Sequence, residues 1–317
     1  MHTRGKRWLV YSSVGDRAAI ERWATGPRDY DVFVTYYGDR PGRYAGLADQ
    51  YQERKGTKFA CLLDWWRASP ELFAPYDAVL VIDDDLALTP GQVTALFESR
   101  ERHELALLQP AFSARGKVSW SVTRQRPRCE LHFTDFVENG APLFAADELW
   151  AFLESFDGSL TGWGIDYWYL HSIDARARPG RVAVIDTVVV RNPRDHEKAG
   201  GRQIDQARTR DERMADWDSA RERYGIPTYE PEVVGQVLLP VGGQVRAVIT
   251  ALPDTLAWWG KVEFGAGRRR ALRGRAARCG HRLVRHLLAR PRAAAPDQGF
   301  ELAVGAESGA GGGDADP

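Results

Sequence analysis

The chain has 317 residues, 44% of them hydrophobic, with 43 Lys+Arg against 43 Asp+Glu. That is enough apolar content for one large domain or two small ones, and the charge balance makes no electrostatic case for nucleic acid. Three cysteines without CxxC or Cys/His ligand spacing support neither a disulfide framework nor a zinc site. The start of the chain lacks a signal peptide's apolar stretch, and no uncharged apolar segment reaches membrane-spanning length, so the expectation is a cytoplasmic protein.

In chain order, residues 8–14 read as a strand closing on the turn Ser12-Ser13-Val14-Gly15-Asp16, and residues 17–25 have helical character. A second strand covers 30–37. A helix covers 58–67, its apolar face made by Phe59, Leu62, Leu63 and Trp66. A strand at 77–82, a helix at 90–102 (Thr89 as N-cap, Pro90 at the first helical position) and a short strand at 105–109 follow. Strands separated by helical patterns predict βαβ units and a parallel sheet. After Pro110 the pattern changes. Residues 118–123 and 131–138 read as edge or antiparallel strands, 146–155 and 167–173 as helices, 181–190 as a β-branched strand and 205–224 as a charge-rich helix. Strand character returns at 235–249.

The overall charge balance hides an asymmetry. Between Phe264 and Pro296 there is no acidic residue, while ten arginines appear. The division expected is a catalytic domain over 1–230, an extension over 231–262, an arginine-rich helix over 263–292 and an unfolded tail over 293–317. Residues 268–292 could lie on an anionic membrane surface. They equally read as a solvated helix or basic tail.

The most informative feature is the run Val79-Leu80-Val81-Ile82 followed by Asp83-Asp84-Asp85. A bare apolar run of this kind is a strand buried on both faces. Charges at its end emerge at the carboxyl edge of the sheet, where open α/β folds place ligands. Adjacent carboxylates repel, and a hard divalent cation with oxygen ligands relieves them. On an extended strand Asp83 and Asp85 point the same way and Asp84 the other. The plainer alternative is an acidic run before the helix at Pro90.

Three further features could carry chemistry. Lys58, at a helix start, and the Ser12–Asp16 turn could meet phosphate, although a solvated lysine fits Lys58 as well. The loop Gly162-Trp163-Gly164-Ile165-Asp166 presents a tryptophan as a wall for a sugar face, then an acid at a helix entry. That acid is a general base or an ordinary N-cap. Glu138, among apolar residues, must find a partner or a role. Trp120, Arg124 and Arg126 flank the donor or sit on a solvated edge.

The ordered blocks Thr57-Lys58, Val81-Ile82-Asp83-Asp84-Asp85-Leu86, Gln109-Pro110-Ala111, Val137-Glu138 with Ala141-Pro142-Leu143-Phe144, Gly162–Asp166 and Val184-Ile185-Asp186 resemble the family called domain of unknown function 707, over roughly residues 6–195. That family is similar to the GT-A nucleotide-diphospho-sugar transferases, in which a DxD motif holds Mn²⁺ or Mg²⁺ on the donor diphosphate. The resemblance implies a GT-A-like three-layer α/β/α (Rossmann-like) sheet, mostly parallel with an antiparallel addition, plus a basic C-terminal extension. It implies Asp83 and Asp85 as the metal pair, with Glu138 and Asp166 on the acceptor side. The family usually carries a histidine soon after the Val-Ile-Asp strand. Here Asn192 stands near that place, and His196, four residues later, either substitutes as a metal ligand through a loop shift or is a solvated loop histidine.

The reading is a metal-dependent glycosyltransferase using a nucleotide-diphospho-sugar donor and an unknown glycan or small-molecule acceptor. Asp166 is the base, Glu138 is held in reserve, and Ser12, Ser13, Gly15, Lys58, Asp84 and Trp163 lie on the donor side. Two alternatives stay open: a nucleotidyl- or phosphotransferase on the same acids, without a P-loop, and a non-catalytic GT-A-like binding protein at a membrane surface.

Overall fold

A computed structural model describes residues 8–198 and 208–239, and the backbone of 247–248. The expectations for 263–292 and 293–317, and for most of 231–262, lie outside those residues. The elements run β1 (Trp8–Val14), α1 (Glu21–Ala24), β2 (Asp31–Tyr36), β3 (Gln50–Glu53), α2 (Lys58–Ala68), α3 (Pro70–Phe73), β4 (Ala78–Val81), α4 (Pro90–Arg102) and β5 (Leu107–Phe112). There follow β6 (Cys129–Thr134), β7 (Leu143–Ala145), α5 (Ala146–Ser155), α6 (Ile165–Ser172), β8 (Val182–Val190), α7 (Arg210–Tyr224), β9 (Val233–Leu238) and β10 (Ala247–Val248).

All ten described strands join one sheet in the order β10-β9-β6-β8-β5-β7-β4-β1-β2-β3. The pairs β3–β2, β2–β1, β1–β4 and β5–β8 are parallel, and β7 is inserted antiparallel between β4 and β5. With β6 and β10 also reversed, seven described strands run one way and three the other. The expected mostly parallel sheet with an antiparallel addition is what forms.

Strand alternation divides the core into two layers. On one face Leu9, Tyr11, Phe33, Val79, Val81 and Phe144 pack under α2, α3, α5 and α6, through Phe59, Leu62, Phe73, Phe152 and Trp168. On the other, Val10, Val32, Val34, Leu80, Ile82 and Leu143 meet α1 and α4, through Trp23, Val93, Leu96 and Phe97. The molecule is therefore a three-layer α/β/α sandwich. Helix ends follow local chemistry. Thr89 and Gln92 form a capping box on α4, with Pro90 at its first turn, and Thr209 with Glu212 does the same for α7.

Two expected strands change. Residues 118–123 form no strand. They end in a 3₁₀ turn at Ser121–Thr123, where the Thr123 N–H bonds the Trp120 carbonyl. The strand expected over 131–138 is β6, which stops at Thr134, because the Thr134 side chain turns back to the Phe136 N–H and the Glu232 carbonyl. The helix expected over 17–25 shrinks to α1. The carboxyl ends of β1, β2, β4, β5 and β8 share one sheet edge, with the β6–β7 connection and the start of α2 above it.

Candidate functional site

β4 ends at Val81, and the three acids follow in a tight turn. The Asp83 N–H is fixed to the Gly140 carbonyl at 2.8 Å, and the Leu86 N–H returns to the Asp83 carbonyl at 3.3 Å. A turn, not a straight strand, therefore sets where the side chains go. Asp83 accepts from Lys58 Nζ at 2.6 Å, and Lys58 also donates to the Asn139 carbonyl at 2.6 Å. Asp85 is paired with Lys198 Nζ at 2.5 Å. Loss of hydration raises the Asp83 carboxyl, Lys58 opposes that, Asp85 adds to it, and Lys198 lowers it. The four groups thus form one charge cluster of two acids and two lysines.

Asp84 turns the other way. Its Oδ2 accepts from the Gly15 N–H and the Tyr37 hydroxyl, both at 2.8 Å. Loss of hydration pushes Asp84 up to about 6, these two donors hold it down, and Asp85 and Asp83 raise it. Gly15 is needed there because a Cβ would sit 2.8 Å from the Tyr37 ring. Ser12 is fully buried, its hydroxyl on the Ile82 carbonyl at 2.8 Å. Ser13 is also buried, 3.2 Å from the Tyr11 hydroxyl. The turn after β1 therefore braces the acids.

Beyond them stand Glu138 and Asp166. Glu138 is buried; its Oε1 accepts from the Thr123 hydroxyl at 2.7 Å and its N–H donates to Gln109 Oε1 at 2.6 Å. Loss of hydration pushes it up to about 7, Thr123 opposes that, and Asp166 adds to it. Asp166 opens α6, half-buried, with its Oδ1 on the Tyr167 N–H at 3.1 Å. Loss of hydration pushes its carboxyl to about 7 as well. Buried Tyr169 lies within electrostatic reach of the acids. Its hydroxyl donates to the Val137 carbonyl at 2.5 Å, and it is raised well above its ordinary value by burial and then by Asp166, Glu138 and, more weakly, Asp83.

Trp163 is 44% exposed, with the Arg210 guanidinium 5.7 Å from its ring centroid. Gly164 behind it has φ +80°, and a Cβ there would overlap the Trp217 indole. Trp120 packs on Phe136 and Tyr167, Arg124 is exposed, and the Arg126 N–H bonds Asp186 Oδ1 at 2.7 Å. His196 is exposed on a 3₁₀ turn, and the side chain that this segment delivers to the acids is Lys198.

Sequence reasoning missed Lys198, Tyr37, Tyr169 and the pair His132–Asp186. His132 Nδ1 lies 2.7 Å from Asp186 Oδ2 and His132 Nε2 2.6 Å from the Val122 carbonyl, both side chains fully buried. Lys198 had a signal: it lies just past the place where the resemblance expects a histidine. Tyr37 and Tyr169 had none, since each is used through contacts distant in sequence.

A divalent cation can be tested against this donor set. Asp83 and Asp85 supply hard oxygens within electrostatic reach of each other, and each already attracts a cation. Among the described residues no three His, Cys, Asp or Glu side chains converge as a metal cage. Two carboxylates suit an ion that completes its shell with substrate phosphate and water. The residues fit.

No family model and no curated protein matches the chain. Among solved structures it is similar to S. aureus TarS 1-349 in complex with UDP-GlcNAc, at 12% identity and TM-score 0.42, covering 64% of this chain and 62% of that one. It is similar also to TarS 1-349 in complex with UDP, at 11% identity and TM-score 0.38, covering 59% and 60%. The chain thus spans about 60% of the length of these two structures. Among the described residues no helix is long and apolar enough to cross a membrane.

Proposed function

We propose that the protein is a GT-A-type glycosyltransferase that moves a sugar from a nucleotide-diphosphate donor to a hydroxyl acceptor. The observation that carries this reading is the pairing, at one sheet edge, of two cation-seeking acids with two carboxyls raised to about 7. The ordered motifs and the three-layer sheet support it too. Asp83 and Asp85 would hold Mn²⁺ or Mg²⁺, which offsets the charge that builds on the leaving diphosphate. Lys58, anchored on Asn139, adds a fixed positive charge beside that position. Asp84, with the turn after β1, holds the acids' backbone in place.

A carboxyl raised to about 7 is matched to taking a proton from a hydroxyl near neutral pH. Asp166 is the better base, because the hydrogen bonds shown for its carboxyl come only from backbone N–H groups at its own helix start, with no other side chain holding it. Glu138, gripped by Thr123 within the core, orients the acceptor and stands in reserve. Exposed Trp163 offers a flat face for a sugar ring. His196 is exposed where it stands, and it would serve as a metal ligand only if its segment shifted to bring it to the acids.

The test is a thermal-shift and calorimetric screen of nucleotide sugars with and without Mn²⁺, since a ligand bound only by the native state raises apparent stability. One donor should bind in a Mn²⁺-dependent manner, D85N should abolish that dependence, and D166N should lower kcat about 100-fold or more while leaving donor affinity intact. Donor affinity that is the same with and without Mn²⁺ sinks the metal assignment. Stabilisation by nucleoside triphosphates but by no nucleotide sugar would instead favour nucleotidyl or phosphoryl transfer.

A further inference from the structure

The two lysines on the acids are not equivalent. Lys58 opens α2, its side chain is 10% exposed, and it donates to both Asp83 and the Asn139 carbonyl. Lys198 lies on the segment beyond β8, its side chain is 21% exposed, and the one acceptor shown for it is Asp85 Oδ2. The first is built into the scaffold. The second is a single ion pair on the end of a flexible four-carbon stem.

A dication on Asp83 and Asp85 meets the ammonium that Lys198 places on Asp85 Oδ2, and two cations on one carboxylate repel. The charges nevertheless balance if Lys198 stays nearby. Two aspartates are neutralised by two lysines, and a divalent ion neutralises the two charges of a diphosphate diester. We infer that Lys198 is a displaceable counterion. It holds Asp85 while the site lacks donor, and it transfers its ammonium to a donor phosphate oxygen when metal and diphosphate enter together. It is a donor-binding residue, and it makes metal binding depend on the diphosphate. This rests on the metal-dependent reading of Asp83 and Asp85.

The predicted signature is a pair of opposite changes, read with the full-length protein and without turnover. Mn²⁺ alone is titrated by electron paramagnetic resonance of the free ion. Inorganic pyrophosphate is then titrated by calorimetry at saturating Mn²⁺, which leaves nucleobase contacts out. K198M should bind Mn²⁺ alone roughly five-fold more tightly, the scale of one partly exposed ion pair. It should bind Mn²⁺-pyrophosphate about ten-fold more weakly, because a charge-assisted contact is lost. K198R should restore pyrophosphate binding. Circular dichroism of K198M should match the wild type, and its melting temperature should fall by no more than about 5 °C, since the Lys198–Asp85 pair is partly buried.

Unchanged affinity for both probes in K198M, with D85N abolishing Mn²⁺ binding, would overturn the counterion role and leave the metal reading intact. Unchanged Mn²⁺ affinity in D85N would overturn the metal reading and this inference with it. Weaker Mn²⁺ binding in K198M would also overturn it, since the lysine would then assist the ion instead of competing.

Discussion

Glu138 shows how one side chain can be costly to the fold and useful to the site. Its carboxyl is raised from the ordinary 4.5 to about 7, chiefly by lost hydration, with the Thr123 hydroxyl acting against the shift. Below pH 4.5 the group is protonated in both folded and unfolded chains and makes no difference. Between 4.5 and 7 the unfolded chain ionises while the folded one keeps its proton, so stability falls as pH rises. Above 7 the whole penalty is present, about 3 kcal/mol at most for a shift of this size. E138Q keeps an oxygen for Thr123 and removes the titration. In urea unfolding it should be more stable than the wild type at pH 8, with the gap closing by pH 4.5. A gap of equal size at all pH values would show that Glu138 does not titrate in this range. That Glu138 needed a partner was legible from its apolar neighbours. That the partner is Thr123 was not, because the partner lies fifteen residues upstream on a segment that reads as a strand.

At the scale of elements, the sequence was most readable where a period had room to repeat. The limits of β1, α4 and α5 match their patterns, and the other long elements differ only at their ends. Three short elements were missed: β3, α3 and β7. β7 has three residues, follows Pro142 and runs without a break into α5, so it never completes an alternation. Yet its Leu143 and Phe144 carry the antiparallel link between β4 and β5 beside the acid turn. The glycines of the 162–166 loop were legible as a sharp bend, but what demands Gly164 is Trp217 on α7, beyond any local pattern. G164A must place an alanine at φ +80° and also move that indole. Left-handed backbone costs about 1–2 kcal/mol, and overpacking brings the total to about 3 kcal/mol. Gly158 is the control, with φ +82° and a Cβ that would meet Leu63 at an ordinary 3.7 Å. G158A should therefore lose about 1 kcal/mol in the same chemical unfolding series. Equal losses in the two variants would remove Trp217 from the explanation.

The whole sheet depends on a narrow seam. Among the described residues β9 and β10 reach the rest of the sheet only through β6, and β6 pairs with β8 at two positions, His132↔Val184 and Phe133↔Ala183. Asp186 lies two residues beyond Val184 on the same face of β8, the diagonal neighbour of His132. A side-chain bond there reinforces a seam with few ladder bonds. The Val122 carbonyl can only accept, so His132 Nε2 donates to it, and Nδ1 is hydrogen-bonded to Asp186 Oδ2. Asp186 Oδ1 meanwhile takes the Arg126 N–H. The pair therefore fixes both ends of the 122–126 segment, which contains the Thr123 hydroxyl on Glu138. Breaking a buried pair from one side strands the other group, at about 3–5 kcal/mol, whereas replacing both with apolar residues can be nearly neutral. D186L should accordingly lower the melting temperature by about 10 °C. H132L/D186L should recover most of that loss while still releasing the Val122 carbonyl and the Arg126 N–H. In the double variant, then, fold and site separate. Stability returns, but the pH-dependent difference between Glu138 and E138Q widens, because Thr123 no longer opposes the rise of the carboxyl. If the double variant is no more stable than D186L, the pair holds the 122–126 segment by its hydrogen bonds alone, and the seam draws nothing from packing at these two positions.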